Sequence, residues 1–273
     1  MAKQDSRIPK TAKPIRKSTL RKSGRKKKRT RSLWPLALFF FFAVLAIATY
    51  GIYRKLNPVW YNIDKREFPI SGIDVSKHSG KIDWLKVSRQ QIDFAYIKST
   101  EGVSYLDPKY KVNYEGAKEH GLKTGVYHFF RFNKPGKEQA DNFLKHSSIR
   151  EEDLPPVIDV EDWGNKNHRK TRLEITGEIR QFIELVEKRT GREVVIYTNE
   201  SSYKSYIEGH FDSNLIWICT FRKKPLLEQD MWVFWQHAHD KRLDGVEGYV
   251  DWNTFNGGAE DWMHFARKQV PGL

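Results

Sequence analysis

Residues 33–53 (LWPLALFFFFAVLAIATYGIY) form a run of 21 residues without one charged side chain. An α-helix rises 1.5 Å per residue, so roughly 20 apolar residues cross the hydrocarbon core of a bilayer. The run therefore reads as a membrane span that separates residues 1–32 from the rest of the chain. Trp34 at one end and Tyr50 and Tyr53 at the other stand where interfacial aromatics belong, and Arg54 and Lys55 close the far side. Residues 1–32 hold 14 of the 48 Lys and Arg residues against one acid, Asp5, with little apolar surface to bury. Such a tail is expected to be disordered. Its charge predicts a cytoplasmic N-terminus, with everything after about residue 55 outside the cytoplasm. Ala46-Ile47-Ala48 also fits a small-x-small cleavage site, so secretion after cleavage near Ala48 stands as the alternative. The apolar run continues past Ala48, and the tail is long for a signal peptide, which favours an uncleaved anchor.

With the tail set aside, 34 basic residues face 33 acidic ones, a formal charge of +1. The sequence pI of 9.6 thus belongs to the tail and to an attraction for anionic lipid, and no nucleic-acid partner is expected. The lone Cys219 excludes a disulfide scaffold. Residues 54–67 mix Pro, Asn and charges and are expected to be a stalk. From 68 to 268 the pattern is that of one compact domain. Apolar, β-branched and aromatic runs predict strands at Ile70–Val75, Phe94–Ile97, Gly125–Phe130, Pro156–Val160, Val194–Tyr197, Leu215–Ile218, Trp232–Trp235 and Tyr249–Asp251. Between them, Thr171–Thr190 has helical spacing closed by Gly191, and Tyr110–His120 is a weaker case closed by Gly121. Strands alternating with helices indicate an α/β fold, here an irregular TIM-like (β/α) barrel with degenerate later units. Chemistry in such a fold collects at the C-terminal strand ends.

Three acids fall there: Asp74, Asp159 and Glu161. Positions i and i+2 of a strand project to one face, so Asp159 and Glu161 are expected side by side, about 6 to 7 Å apart. Two carboxyls at that spacing in an apolar strand perturb each other, so that one stays protonated as a general acid while its neighbour ionises. Capping of the following loop or helix amides is the bland alternative for each acid. Trp163, Trp217, Trp235 and Trp252 lie at or beyond predicted strand ends, where sugar rings stack, although core packing is the favoured reading for any single one. The histidines show no HExxH or comparable spacing, and no GxGxxG, phosphate loop or GxSxG elbow occurs. No metal and no cofactor are expected.

Taken together, several segments resemble a known family. They are Gly72-Ile73-Asp74-Val75-Ser76 with His78, Gly80, Asp83 and Trp84; Phe94-Ala95-Tyr96-Ile97-Lys98-Ser99-Thr100-Glu101-Gly102; Gly125-Val126-Tyr127-His128-Phe129; Pro156-Val157-Ile158-Asp159-Val160-Glu161; Tyr197-Thr198; Trp217; Trp235-Gln236; and Gly248-Tyr249-Val250-Asp251-Trp252-Asn253. In this order they resemble the glycoside hydrolase family 25 lysozymes, muramidases of the Chalaropsis type. The resemblance implies cleavage of the β-1,4 bond between N-acetylmuramic acid and N-acetylglucosamine in peptidoglycan strands. It further implies Glu161 as general acid, Asp159 as the partner of the 2-acetamido group, Asp74 and Asp251 as the other cleft acids, and Tyr127, Glu101, Gln236 and Trp235 as substrate contacts. Asp-x-Glu spacing leaves retention and inversion both open, because a substrate-assisted route escapes the usual separation rule. Two departures stand out: Ser99 replaces a small Ala, and Ile218-Cys219-Thr220-Phe221 differs from the expected Ala-x-Tyr. A non-turnover glycan-binding protein and a hydrolase of chitin-like polymers are the competing readings; oligomeric state is not readable.

Overall fold

The computed structural model describes residues 33–56, 61–165, 168–228 and 230–267. The expected disordered tail, 1–32, and the boundary expected at 268 lie outside the described residues. The chain divides into two units, Met1–Asn57 and Pro58–Leu273, and each is taken by itself.

In the first unit, helix α1 (Trp34–Leu56) is continuous over 23 residues. The Thr49 hydroxyl donates back to the carbonyls of Leu45 and Ala46, at 2.9 and 3.0 Å, so the helix satisfies this polar group internally. Phe39, Phe40, Phe41 and Phe42 are all exposed. By length and composition α1 suffices to cross a membrane, and an N-terminal signal sequence has the same character.

The second unit is built on strands β1 (Ser71–Val75), β2 (Phe94–Glu101), β3 (Tyr105–Leu106), β4 (Lys123–Phe129), β5 (Val157–Val160), β6 (Val195–Asn199), β7 (Ile216–Cys219), β8 (Trp232–Lys241) and β9 (Val250–Phe255). Their order is β1-β9-β8-β7-β6-β5-β4-β2-β3, and β1 also pairs with β2, which closes eight strands into a barrel with β3 as a hairpin appended to β2. Helices α2 (Trp84–Ser88), α3 (Tyr110–Glu119), α4 (Gly136–His146) and α5 (Arg172–Thr190) make the early crossovers. The turn α6 (Glu200–Ser202) runs into a π-helical turn at Tyr203–Ile207, and no helix lies between β7 and β8 or between β8 and β9 among the described residues. The last unit is also reversed, because β9 is antiparallel to both β8 and β1.

Helix α5 forms where its spacing predicts it. Thr171 caps it, accepting from the Glu174 amide at 3.3 Å while Glu174 reaches back to the Thr171 amide at 2.6 Å, and Gly191 ends it at φ +68°. Its face of Ile175, Ile179, Phe182, Ile183 and Val186 is buried against the barrel. Helix α4 has a sequence that reads as a turn, Pro135-Gly136. Gly136 is required there, because a Cβ would stand 1.9 Å from the Glu178 carbonyl oxygen of α5.

Strand parity sorts the side chains into two layers. Ile73, Val75, Ala95, Ile97, Val126, Ile158, Val160, Ile196 and Ile218 face outward to the helices. Phe94, Tyr96, Val157, Val195, Trp217 and Phe234 fill the barrel, where Ile70, Leu154, Phe255 and Trp262 of α7 (Ala259–Arg267) join them. Gly72 and Gly125 leave room for this filling, since a Cβ on either would meet the rings of Phe94 and Tyr96 at 2.3 and 2.2 Å. The aromatics leave the opposite half of the interior to polar side chains.

Half of the expected stalk is part of this packing. The Tyr61 amide donates to the Phe221 carbonyl at 2.8 Å, its ring lies 5.0 Å from that of Trp235, and Ile63 packs on the outer core. An aromatic among the prolines and charges is what ties 61–67 down; residues 57–60 lie outside the described residues.

Candidate active site

The inward phase of each strand brings its polar residues to one end of the barrel, around a cleft of about 800 Å³. Asp74 comes from β1, Tyr127 from β4, Asp159 and Glu161 from β5 and the residue just past it, Gln236 from β8 and Asp251 from β9, and all of them line it. Antiparallel β9 contributes through its beginning, where Asp251 is the register partner of Asp74.

The acids are crowded, and their proton affinities show it. Burial pushes Asp159 well above the usual carboxylate range, and the charge of Glu161 adds to the effect. Glu161 is pushed up to about 7, first by burial and then by the charge of Asp74, against a hydrogen bond from Asn199. Asp251 is pushed up to about 9 by burial, by the charge of Asp74 and by its hydrogen bond with Asp74. Asp74 is itself raised by burial, while hydrogen bonds from Asn253, Gln236 and Asp251 oppose the rise. Four carboxyls this close cannot all ionise at neutral pH, and the cleft holds protons ready to donate. Asp159 Oδ1 is buried and accepts no hydrogen bond from the described residues. An N–H of a bound molecule would supply the missing donor and draw Asp159 to its ionised form, leaving the shared proton on Glu161.

One wall is basic. Lys98 Nζ lies 2.7 Å from Glu101 Oε2 and 4.7 Å from the centroid of the Phe129 ring, and Arg131 Nε donates to Glu101 Oε1 at 2.9 Å. A bulge in β2 between Lys98 and Thr100 turns Glu101 toward the cleft. Burial raises Glu101, but the two cations outweigh it and hold the carboxyl below its ordinary range. Both oxygens of Glu101 accept from these cations, and Glu101 lines the cleft beside them.

Trp235 is not in the cleft. It follows Phe234 and precedes Gln236, both inward, so parity sends it outward, where it is fully buried and its indole N–H donates to the Thr220 carbonyl at 2.7 Å. Trp252 likewise packs on the outer layer. Trp217 lies inside at the cleft floor, and Trp163, 72% exposed, stands at the rim beside Phe129. Ser99 uses its hydroxyl outside the cleft, donating to the Tyr127 carbonyl at 3.1 Å and accepting from Ser147 at 2.7 Å. Among the described residues no group of three or more His, Cys, Asp or Glu is placed to hold a metal ion. Tyr197, Asn199 and Cys219 line the cleft too, and the inward parity of β6 and β7 is the signal in the sequence that places them there.

The model of the family described as glycosyl hydrolases family 25 matches residues 73–246, most of the barrel. The chain belongs to glycosyl hydrolase family 25. Among its relatives, Lysozyme M1 of Streptomyces globisporus is 35% identical, over 70% of this chain and 69% of that one. The uncharacterized protein YegX of Escherichia coli K12 is 32% identical, over 83% of this chain and 85% of its own. The structure of a family 25 glycosyl hydrolase from Bacillus anthracis matches with a TM-score of 0.70 at 33% identity, covering 77% of this chain and 98% of that one. The mixed barrel is therefore the fold of this family, and the polar end of the barrel is the place where a glycoside hydrolase can hold a sugar chain between paired carboxyls.

Proposed function

We propose that this family 25 glycoside hydrolase is a 1,4-β-N-acetylmuramidase, cutting peptidoglycan between N-acetylmuramic acid and N-acetylglucosamine. The observation that carries the reading is the Asp159-Val160-Glu161 pair, two carboxyls of raised proton affinity at one strand end in a cleft large enough for sugar rings. The resemblance to Lysozyme M1 supports the choice of glycan. Glu161, the less buried of the two, gives its proton to the glycosidic oxygen as the bond to the anomeric carbon breaks. Asp159 accepts the N–H of the 2-acetamido group and steadies the positive charge that develops. Asp74 and Asp251 face the same sugar, and Tyr127 and Trp163 offer it aromatic surface. Helix α1, with the basic segment before it, serves as an anchor that leaves the barrel on the far side of the membrane.

The test is mass spectrometry of fragments released from purified peptidoglycan and, in parallel, from chitin oligomers by the full chain in detergent. Fragments with reducing muramic acid ends are expected from peptidoglycan. Cleavage of chitin alone would change the polymer, and binding without new reducing ends would make the protein a glycan receptor. The reaction needs Glu161 protonated, and its pKa is pushed up to about 7. Turnover is thus expected to be sustained below that pH and to fall about tenfold per unit above it. A profile flat to pH 9 would contradict the assignment.

A further inference from the structure

Asp74 and Asp251 are register partners joined by a side-chain hydrogen bond, which between two carboxyl groups requires one proton, and nothing in the pairing of two like groups says which keeps it. Their surroundings do. Asp74 Oδ2 accepts from Asn253 Nδ2 at 2.8 Å and from Gln236 Nε2 at 2.9 Å. An amide flipped end for end would instead turn its carbonyl on the carboxylate, so the orientation of the two amides decides the charge of Asp74. Both orientations are set from behind. The Trp217 indole N–H donates to Asn253 Oδ1 at 2.9 Å, and an indole can only donate. The Tyr197 hydroxyl and the Cys219 thiol donate to Gln236 Oε1 at 2.9 and 3.0 Å. An amide carbonyl can only accept, and burial raises the proton affinity of both Tyr197 and Cys219, so both remain donors. Trp217, Asn253 and Gln236 are all buried, out of reach of competing bulk water.

We propose that Trp217 and Asn253 on one side, and Tyr197, Cys219 and Gln236 on the other, form a cradle that makes Asp74 the ionised member of the pair and Asp251 the proton carrier. Asn253 and Gln236 are then positioning residues. Through the Asp74 charge they act on Glu161, and this consequence rests on the reading of Glu161 as the acid; the placement of charge does not. The other titratable or charged groups facing Asp74 and Glu161 are Lys98 from β2, Tyr127 from β4, Asp159 from β5, Asp162 after it, Tyr197 from β6, Cys219 from β7 and Asp251 from β9. Lys98 is already held by Glu101, so the amides are the principal partners of the Asp74 charge.

The experiment is a carboxyl titration followed by 13C NMR of aspartate-labelled full chain in detergent, with Asp74→Asn and Asp251→Asn used for assignment. At pH 7 Asp74 is expected ionised and Asp251 protonated; the reverse overturns the proposal without either amide having to be replaced. In Asn253→Leu the Asp74 midpoint is expected to rise by about one pH unit or more, and the fall of turnover above neutral pH, set by Glu161, to begin at lower pH as the Asp74 charge that raises Glu161 weakens. Gln236→Met tests the same point from the other amide. A folded variant whose Asp74 midpoint stays put, with turnover reduced equally at every pH, would give the amides a packing role only. If the titration behaves as expected while peptidoglycan remains uncut, the cradle stands and the muramidase reading fails.

Discussion

Glu161→Gln is expected to lower the release of muropeptides from peptidoglycan by about 10³, equivalent to about 4 kcal/mol of transition-state stabilisation. The substitution keeps the size of the side chain and its capacity to accept the hydrogen bond from Asn199, and removes the transferable proton. It also removes the charge that helps to raise Asp159, so the folded state should lose no stability. Steady-state rates on purified peptidoglycan, with thermal unfolding run beside them, separate the two effects. A variant of undiminished rate would move the acid to another of the cleft carboxyls. Residual activity of wild-type size at low pH only would make the same point, since Asp159 could then stand in as a protonated donor.

The parts of this site that depend on alternation along a single strand were legible in the sequence. Asp159 and Glu161 share a face because they are two residues apart, and the structure puts both in the cleft. The same rule, applied once Gln236 was placed in the cleft, places Trp235 outside it; the error came from reading an aromatic near a strand end as a platform without assigning its parity. Glu101 could not be read in this way, because the bulge at Lys98/Thr100 resets the phase of β2. Asp251 was reached only through the family resemblance. Strand-end logic assumes a parallel strand, and β9 is reversed, so its functional end is its beginning. Helix α4 was hidden by Pro135-Gly136, residues that signal a turn locally but here serve a close approach to α5. Cys219 carries only its inward parity on β7 as a local signal; the parts proposed for it and for Asn253 depend on closure of the barrel, which sets β7, β8, β9 and β1 side by side.

Asp251→Asn is expected to stabilise the barrel at neutral pH. The Asp251 proton is bound in the fold with a pKa of about 9, whereas an aspartate in the unfolded chain releases its proton near 3.9. The folded state therefore holds more protons than the unfolded state throughout that window, and stability falls as pH rises across it. Each pH unit inside the window costs about 1.4 kcal/mol when the group titrates alone; sharing with Asp74 reduces this, which leaves about 2 to 4 kcal/mol at pH 7. Asparagine is neutral in both states and offers an N–H to Asp74 in place of the carboxyl proton, so it removes the pH slope while keeping the hydrogen bond. Denaturant midpoints at pH 4 and pH 7 check this: the gain should be present at pH 7 and vanish toward pH 4, where the unfolded aspartate is protonated as well. Equal midpoints at pH 7 would mean that Asp251 is ionised in the fold and that Asp74 holds the proton. Turnover should fall in the same variant, because the cleft loses a titratable group that faces the glycan, and a protein that keeps an acid at such a cost in stability keeps it for the site.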